Sequence, residues 1–414
     1  MEAALARYRS TEPEIRAFAW LDEDRALRLA DGRDRRASGG ALRGVPIGVK
    51  DIFDTRGIPT RYGSSLFEDR IPTRSSEVVR RLEAAGAIVL GKTVTTEFAY
   101  FAPGPTRNPH DPTRTPGGSS QGSAAAVAAG VVAGAVGSQT NGSTIRPAAF
   151  CGVVGFKPSE GRISRSGAMA FSPTLDQVGV FAGSVDDAGL LAAVLSGDPV
   201  EHWLSTPSPH EPRLAAIRTS DWSLATSPMQ ERFLADVDAL RARGARIEFP
   251  ALPDGLDDAP DLVPALMAYE SLRTIGRRVP RDSCEISQET RELWERGARM
   301  TPAEHEAGLR QRRVLIARFE QWMRTYDAVI TLPAAGEAPL ADSTGDPRFC
   351  SRWTLVGAPA LVFPTGCGPN EMPLGLQMLG RRGEDAALLG VARWAESVIG
   401  ANTIRDGSTS GRSG

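Results

Sequence analysis

Apolar positions along the chain switch repeatedly between a helical period and short continuous runs, and the switches predict helices and strands in turn. Residues 1–37 are rich in Ala, Leu, Arg and Glu and carry Ile15, Phe18 and Leu21 at helix-like spacing, which predicts a helical clamp on the outside of the fold. Ser38-Gly39-Gly40 reads as a loop. The apolar run from Val45 to Val49 then predicts a strand that enters the interior and delivers Lys50. Ser75 or Ser76 caps a helix with Val78, Val79, Leu82 and Ala85 on one face, and Ala87 to Leu90 forms the next short strand.

From Ser123 to Gly137 almost every residue is Ala, Val or Gly, which predicts a helix buried in the core. Its Gly130-x-x-x-Gly134 spacing can mark paired membrane helices, but the run is shorter than the roughly 20 residues that cross a bilayer. Farther on, Gly161 to Ala170 reads as a hairpin, Ser184 opens a helix through Leu195, and Ser205-Thr206-Pro207-Ser208-Pro209 is a linker. Leu214 to Ile217 and Arg246 to Phe249 are strands on either side of a helix bearing Phe233, Val237 and Leu240. The start of that helix combines Ser227 as N-cap, Pro228 and a capping-box Gln230. Residues 258–324 are helical and highly charged. Ala328 to Pro333 and Ala360 to Pro364 are late core strands, and Asp385 to Val398 is a closing helix. Strands alternating with helices argue for an α/β core.

With 48 basic and 50 acidic residues and 41% hydrophobic content, the chain reads as a soluble globular protein, so neither nucleic acid nor membrane is expected as a partner. Cys151, Cys284, Cys350 and Cys367 show no C-x-x-C spacing, which indicates neither a zinc site nor a disulfide framework and suits a reducing, cytoplasmic setting. The first residues lack a basic stretch followed by an apolar one, so a secretion signal is not expected.

Candidate chemistry concentrates in two runs, Pro116 to Ser123 (Pro-Gly-Gly-Ser-Ser-Gln-Gly-Ser) and Gln139 to Pro147 (Gln-Thr-Asn-Gly-Ser-Thr-Ile-Arg-Pro). Glycines beside serines let the backbone approach a ligand and turn several N–H groups toward one point, as a developing oxyanion requires. A serine in such a nest is a candidate nucleophile. Neither run holds a histidine, so the proton acceptor comes from elsewhere, and Lys50 is the best candidate. Two other patterns compete. Gly86 to Thr93 spells the G-x-x-x-x-G-K-T phosphate loop, but Ala87-Ile88-Val89-Leu90 within it favour a strand over a flexible loop. Gly118-Ser119-Ser120-Gln121-Gly122 matches a nucleophile elbow centred on Ser120, with His202, His210 or His305 downstream as the base. The elbow needs a buried strand before it, and the Pro-broken stretch Asn108 to Pro116 cannot supply one.

The Lys50 segment and the two serine runs, in this order, resemble the amidase signature family, serine hydrolases with a Ser–cis-Ser–Lys triad. The likeness spans roughly residues 13–190 and 326–400, including Gly152 to Pro158, Leu175 to Gly179 and Pro373 to Gln377. It implies a large mixed β-sheet flanked by helices, as a single domain over residues 1–400. Within it lie the clamp (1–37), a signature core (44–195), a variable segment (205–325) and a C-terminal return to the core (326–400), and a disordered tail comes after it at 401–414. The resemblance assigns Lys50 as base, Ser119 as bridging serine and Ser143 as nucleophile. It places the oxyanion hole at the backbone N–H groups of Thr140, Asn141, Gly142 and Ser143, and it calls for no metal or cofactor.

Asn141 stands where many members have Gly, and Asn is the other residue that best tolerates positive φ. Arg146, three positions after Ser143, resembles the arginine with which malonamidase-type members hold a substrate carboxylate. In the blander alternative it orients the loop by pairing with an acid such as Asp176. The implied activity is hydrolysis of a small carboxamide through an acyl-enzyme. One alternative is the amidase (A) subunit of a tRNA-dependent amidotransferase, which needs partner subunits. Another is an idle binding protein of the same fold, against which the three filled triad positions argue. A homodimer stays open.

Overall fold

The computed structural model describes residues 1–34 and 39–407. The end of the expected clamp (35–37), Ser38 of the loop after it and the tail from Ser408 lie outside the described residues. Eleven strands lie along the described chain: β1 (Phe18–Leu21), β2 (Pro46–Lys50), β3 (Ile88–Thr93), β4 (Gly134–Gln139), β5 (Val154–Lys157), β6 (Gln177–Ala182), β7 (Arg213–Ala216), β8 (Arg246–Glu248), β9 (Ala328–Thr331), β10 (Ala360–Cys367) and β11 (Pro373–Leu379). They hydrogen-bond into one mixed sheet in the order β1-β3-β2-β4-β6-β5-β10-β11-β9-β7-β8.

Three of these strands place the chemistry. β2 runs parallel to both β3 and β4, with Lys50 opposite Thr93 and Val49 opposite Val136. Parallel neighbours need long crossovers, and two helices supply them: Glu77–Ala84 between β2 and β3, and Gln121–Ala128 between β3 and β4. The first is capped by Ser76, whose Oγ accepts from the N–H of Val79, and it buries Val78, Val79 and Leu82 as their spacing predicts. Because the strands are parallel, Lys50 at the end of β2 and the Thr140–Ser143 turn after β4 emerge on the same carboxyl edge of the sheet, where α/β sheets bind ligands.

The small-residue run after Ser123 does not form the single helix expected of it. The helix Gln121–Ala128 stops, Gly130 turns the chain at φ +68°, and the same apolar run re-enters the sheet as β4. Val131, Val132 and Val136 are β-branched and extend readily, and Gly130 takes a backbone conformation closed to most residues, so local propensity splits the run. The helix itself lies against backbone: a Cβ at Gly122 would sit 2.2 Å from Ala17 O, so only glycine fits there.

Four other expectations change. The clamp is not wholly helical: the helix Glu2–Ile15 ends where Arg16 adopts φ 53°, and Phe18 to Leu21 form edge strand β1 against β3. Gly161 to Ala170 holds turns and one isolated bridge, Phe53 to Ala168, in place of a hairpin. The helix Ser227–Ala242 has Thr226 at its N-cap, and Gln230 Nε2 donates to Trp222 O and Ala225 O, so no capping box forms. The closing helix spans Asp385–Gly407 and takes up residues 401–407 of the stretch expected to be a tail, since no proline interrupts it.

Candidate active site

The chain contains three lysines among its 48 basic residues, Lys50, Lys92 and Lys157, and each is 0% exposed. What surrounds each ammonium decides its role. Lys92 forms a buried ion pair with Asp51 at 3.0 Å and donates to Thr60 Oγ1 and Phe53 O, so its charge is answered. Lys157 donates to Gln177 Oε1, Ala358 O and Pro158 O, and burial brings its pKa down to about 7. Lys50 meets only hydroxyls: Nζ lies 2.7 Å from Ser119 Oγ and 2.8 Å from Ser138 Oγ, with no carboxylate in ion-pair range among the described residues. Burial therefore holds its pKa well below the ordinary lysine value, while the charge of Asp176 acts in the opposite direction. A neutral amine beside a serine hydroxyl is a proton acceptor.

Ser119 is 1% exposed and comes directly after a cis Gly118–Ser119 peptide bond. Ser120, the centre of the rival elbow, is committed elsewhere: its Oγ donates to Ser138 O and accepts from Ser138 N–H, which fastens this loop to β4. Among the described residues no histidine lines the cavity that holds Ser143; His202 and His210 are exposed, and His305 pairs with Glu270. The phosphate-loop alternative fails on geometry, because Ile88 to Thr93 are strand and Lys92 is bound to Asp51.

The turn after β4 is held from below. Gln139 Oε1 accepts from the N–H groups of Thr144 and Ile145, which start the helix Ile145–Cys151. Thr140 Oγ1 donates to Asp176 Oδ1, and Asp176 Oδ2 accepts from the N–H groups of Phe171 and Ser172. Burial pushes the Asp176 carboxyl up to about 6 against the pull of these donors. Among the described residues no protein acceptor takes the backbone N–H of Thr140, Asn141, Gly142 or Ser143, so this run of donors is free to meet a ligand. Ser143 is 8% exposed, and no hydrogen bond joins its Oγ to Ser119 among the described residues. The two serine loops are tied another way: Arg146 Nη2 donates to Gly118 O and Nε to Thr344 O, each at 2.7 Å. Arg146 does not pair with Asp176, which is occupied by Thr140. Its Nη1 has no partner among the described residues, and burial lowers the guanidinium pKa to about 10, which leaves it charged at neutral pH.

Ser143 and Arg146 line a small cavity with Thr140, Asn141 and Gly142. It shares Ala99 and Thr140 with a cavity of about 180 Å³ that includes Phe53, Met169 and Phe171, and shares Asn141, Tyr100 and Met267 with one of about 350 Å³. The larger cavity carries Asp221, Asp257 and Asp346, residues that no motif of the chain singles out. Ser138, the second partner of Lys50, likewise stands outside both serine runs, and its neighbours Gly137 and Gln139 give no sign of it. The scarcity of lysine is the signal that isolates Lys50, Lys92 and Lys157 together.

Since Asp176 raises the Lys50 pKa, Asp176→Asn is expected to lower it and to move the acid limb of the pH–kcat/KM profile to lower pH. Asn keeps an oxygen for the Phe171 and Ser172 N–H groups, so the fold should hold. An unmoved acid limb would mean that Lys50 does not set it.

A family model described as Amidase matches residues 1–389. The chain is 36% identical to the A subunit of the glutamyl-tRNA(Gln) amidotransferase of Anaeromyxobacter sp. (strain K) over 464 aligned positions, which cover 97% of this chain and 92% of that relative. Among solved structures, one described as an amidase superposes with a TM-score of 0.87 at 30% identity, covering 96% of this chain and 95% of the other. The peptide amidase of Stenotrophomonas maltophilia superposes with a TM-score of 0.84 at 27% identity, covering 96% and 92%.

Proposed function

Because this chain belongs to the amidase family and is therefore an enzyme acting on amide bonds, we propose that it cleaves a small carboxamide through an acyl-enzyme on Ser143. The observation that carries the reading is a buried, carboxylate-free Lys50 held 2.7 Å from Ser119. Neutral Lys50 takes the proton of Ser119 as Ser119 takes that of Ser143, and Ser143 Oγ bonds to the amide carbon. The oxyanion meets the free N–H groups of the Thr140–Ser143 turn. As the C–N bond breaks, the relay returns its proton to the leaving nitrogen, and water then repeats the sequence to release a carboxylate. The missing Ser143–Ser119 hydrogen bond closes as substrate fills the cavity, since catalytic bonds often tighten only in the complex. Arg146 Nη1 offers a charged donor beside the nucleophile, which suits an amide bearing a carboxylate.

Sequence comparison supports a second reading, in which the chain is the amidase subunit of a tRNA-dependent amidotransferase and passes nitrogen on within a complex. The 464 aligned positions exceed the 414 residues of this chain, so that relative carries internal segments absent here. The two readings share the acyl-enzyme and differ in the fate of the released nitrogen. Ammonia release by the isolated chain from a panel of small amides supports the first. Co-purification of further subunits, with ammonia release only in their presence, supports the second. Arg146→Lys should weaken kcat/KM for a short acidic amide about tenfold more than for a neutral one of equal size, because a point charge replaces a fork. Equal losses would restrict Arg146 to its ties with Gly118 and Thr344.

A further inference from the structure

From Ser271 to Arg281 the chain carries four arginines and no acid, in a protein whose 48 basic and 50 acidic residues otherwise nearly balance. The stretch begins in the last turn of the helix Leu262–Arg273 and runs toward the helix Gln288–Arg299. Arg273, Arg277 and Arg281 line one cavity of about 410 Å³. Arg273 is fixed there by Tyr269: its Nη1 donates to the Tyr269 carbonyl, and its Cζ lies 3.4 Å from the centre of the Tyr269 ring. The side chains of Arg277 and Arg281 are exposed and have no hydrogen-bond or ion-pair partner among the described residues. Guanidiniums gathered around one hollow repel one another, and an anion between them reverses the sign of that interaction.

Arg281 also lines a second cavity of about 330 Å³, together with Asp282, Arg291, Trp294 and Glu295. Trp294 is 3% exposed, and its Nε1 is a buried donor with no partner among the described residues. The indole lies where the two hollows meet: a Cβ on Gly276, which lines the first, would stand 3.3 Å from Trp294 Cε2, the ring carbon bonded to Nε1. Buried indole N–H groups usually have an acceptor, and an oxyanion between the cavities would supply one. Arg291 braces the loop, its Nη2 donating to Ser283 O and Ile286 O. Asp282 and Glu295 have no cation in ion-pair range among the described residues, so both remain acceptors for hydroxyl groups. We propose that the two cavities bind a small, hydroxyl-bearing phosphate ester. Its phosphate lies among Arg273, Arg277 and Arg281 and accepts from Trp294 Nε1, while Asp282 and Glu295 accept from its hydroxyls. Phosphate suits the site better than a carboxylate, because several planar forks offer more donors than two oxygens can use. The acids of the second cavity disfavour a nucleic-acid strand, whose phosphates they would face. The site shares no lining residue with the Ser143 cavity and does not rest on the amidase reading.

Calorimetry on the full chain with ribose 5-phosphate, inorganic phosphate and ribose tests this, on wild type, the double variant Arg277→Ala with Arg281→Ala, and Trp294→Phe. Wild type is expected to bind ribose 5-phosphate about tenfold more tightly than inorganic phosphate, and ribose too weakly to detect. The double variant should raise the Kd for ribose 5-phosphate about tenfold or more, with an unchanged melting temperature because both arginines are exposed. Trp294→Phe keeps an aromatic ring against Phe98, on which the indole stacks, and removes the N–H, so Kd should rise about fivefold. Arg241→Ala, at an arginine outside both cavities, should leave Kd where it is. The proposal is overturned if no phosphate probe binds at millimolar concentration, if the double variant leaves Kd unmoved, or if Arg241→Ala weakens binding equally. Tighter binding of a single-stranded oligonucleotide than of ribose 5-phosphate, lost in the double variant, would assign the arginines to a nucleic-acid strand and overturn it as well.

Discussion

Ser143→Ala and Lys50→Met are each expected to lower kcat/KM on an amide by about 10³-fold or more, the scale on which removal of a nucleophile or its base acts. The two variants should differ in stability. Lys50 is a buried amine with no carboxylate partner among the described residues, so an apolar side chain of similar length should leave the melting temperature unchanged or raise it. Lys50→Arg should be as inactive as Lys50→Met, since a guanidinium cannot become the neutral acceptor that the relay needs. Near-normal turnover of Lys50→Met at neutral pH would remove lysine from the relay and return the search to a histidine.

Asp51→Ala is expected to do the reverse, destabilising the fold by about 3–5 kcal/mol while acting on chemistry only through the unfolded fraction. Asp51 is the sole carboxylate bonded to Lys92 among the described residues, and both are buried, so its removal strands an ammonium in the core. Lys92→Met combined with Asp51→Ala should recover most of the loss, because an apolar pair replaces an ion pair instead of half of one. Chemical denaturation of wild type and both variants measures this. A double variant no more stable than Asp51→Ala would show that the Asp51 contact to the Arg61 N–H, not the ion pair, carries the effect.

The sequence is most legible where one residue type has a single physical use. The run ending at Lys50, the Ser76 cap and the strand at Ile88 come from local pattern, because period and capping chemistry act within a few residues. The candidate site residues stand out in the sequence for another reason: glycine and serine at that density have little use in packing. What local pattern misses is decided by long-range contact. Phe18 to Leu21 lie at helical spacing yet form a strand because β3 offers an edge. Ser123 to Gly137 looks uniform, and a single Gly130 with positive φ divides it. Arg146 reads equally well as structural or as substrate-binding, and its guanidinium does have two faces: Nε and Nη2 brace Thr344 and Gly118, whereas Nη1 stays open. Ser351 Oγ donates to Asn141 Oδ1 across more than two hundred residues, a distance over which one sequence carries no visible pairing signal.

The burial of every lysine also governs how the native protein meets amine chemistry. Acylating labels, aldehyde fixatives and lysine-directed cross-linkers find no ε-amino group on its surface, because Lys50, Lys92 and Lys157 are all enclosed. A lysine-specific endoproteinase likewise has no accessible cleavage point until the chain opens. Susceptibility to that enzyme thus reports unfolding directly, without background from surface nicks, and the first lysine to be acylated in a partly denatured sample identifies the part of the core that loosens first.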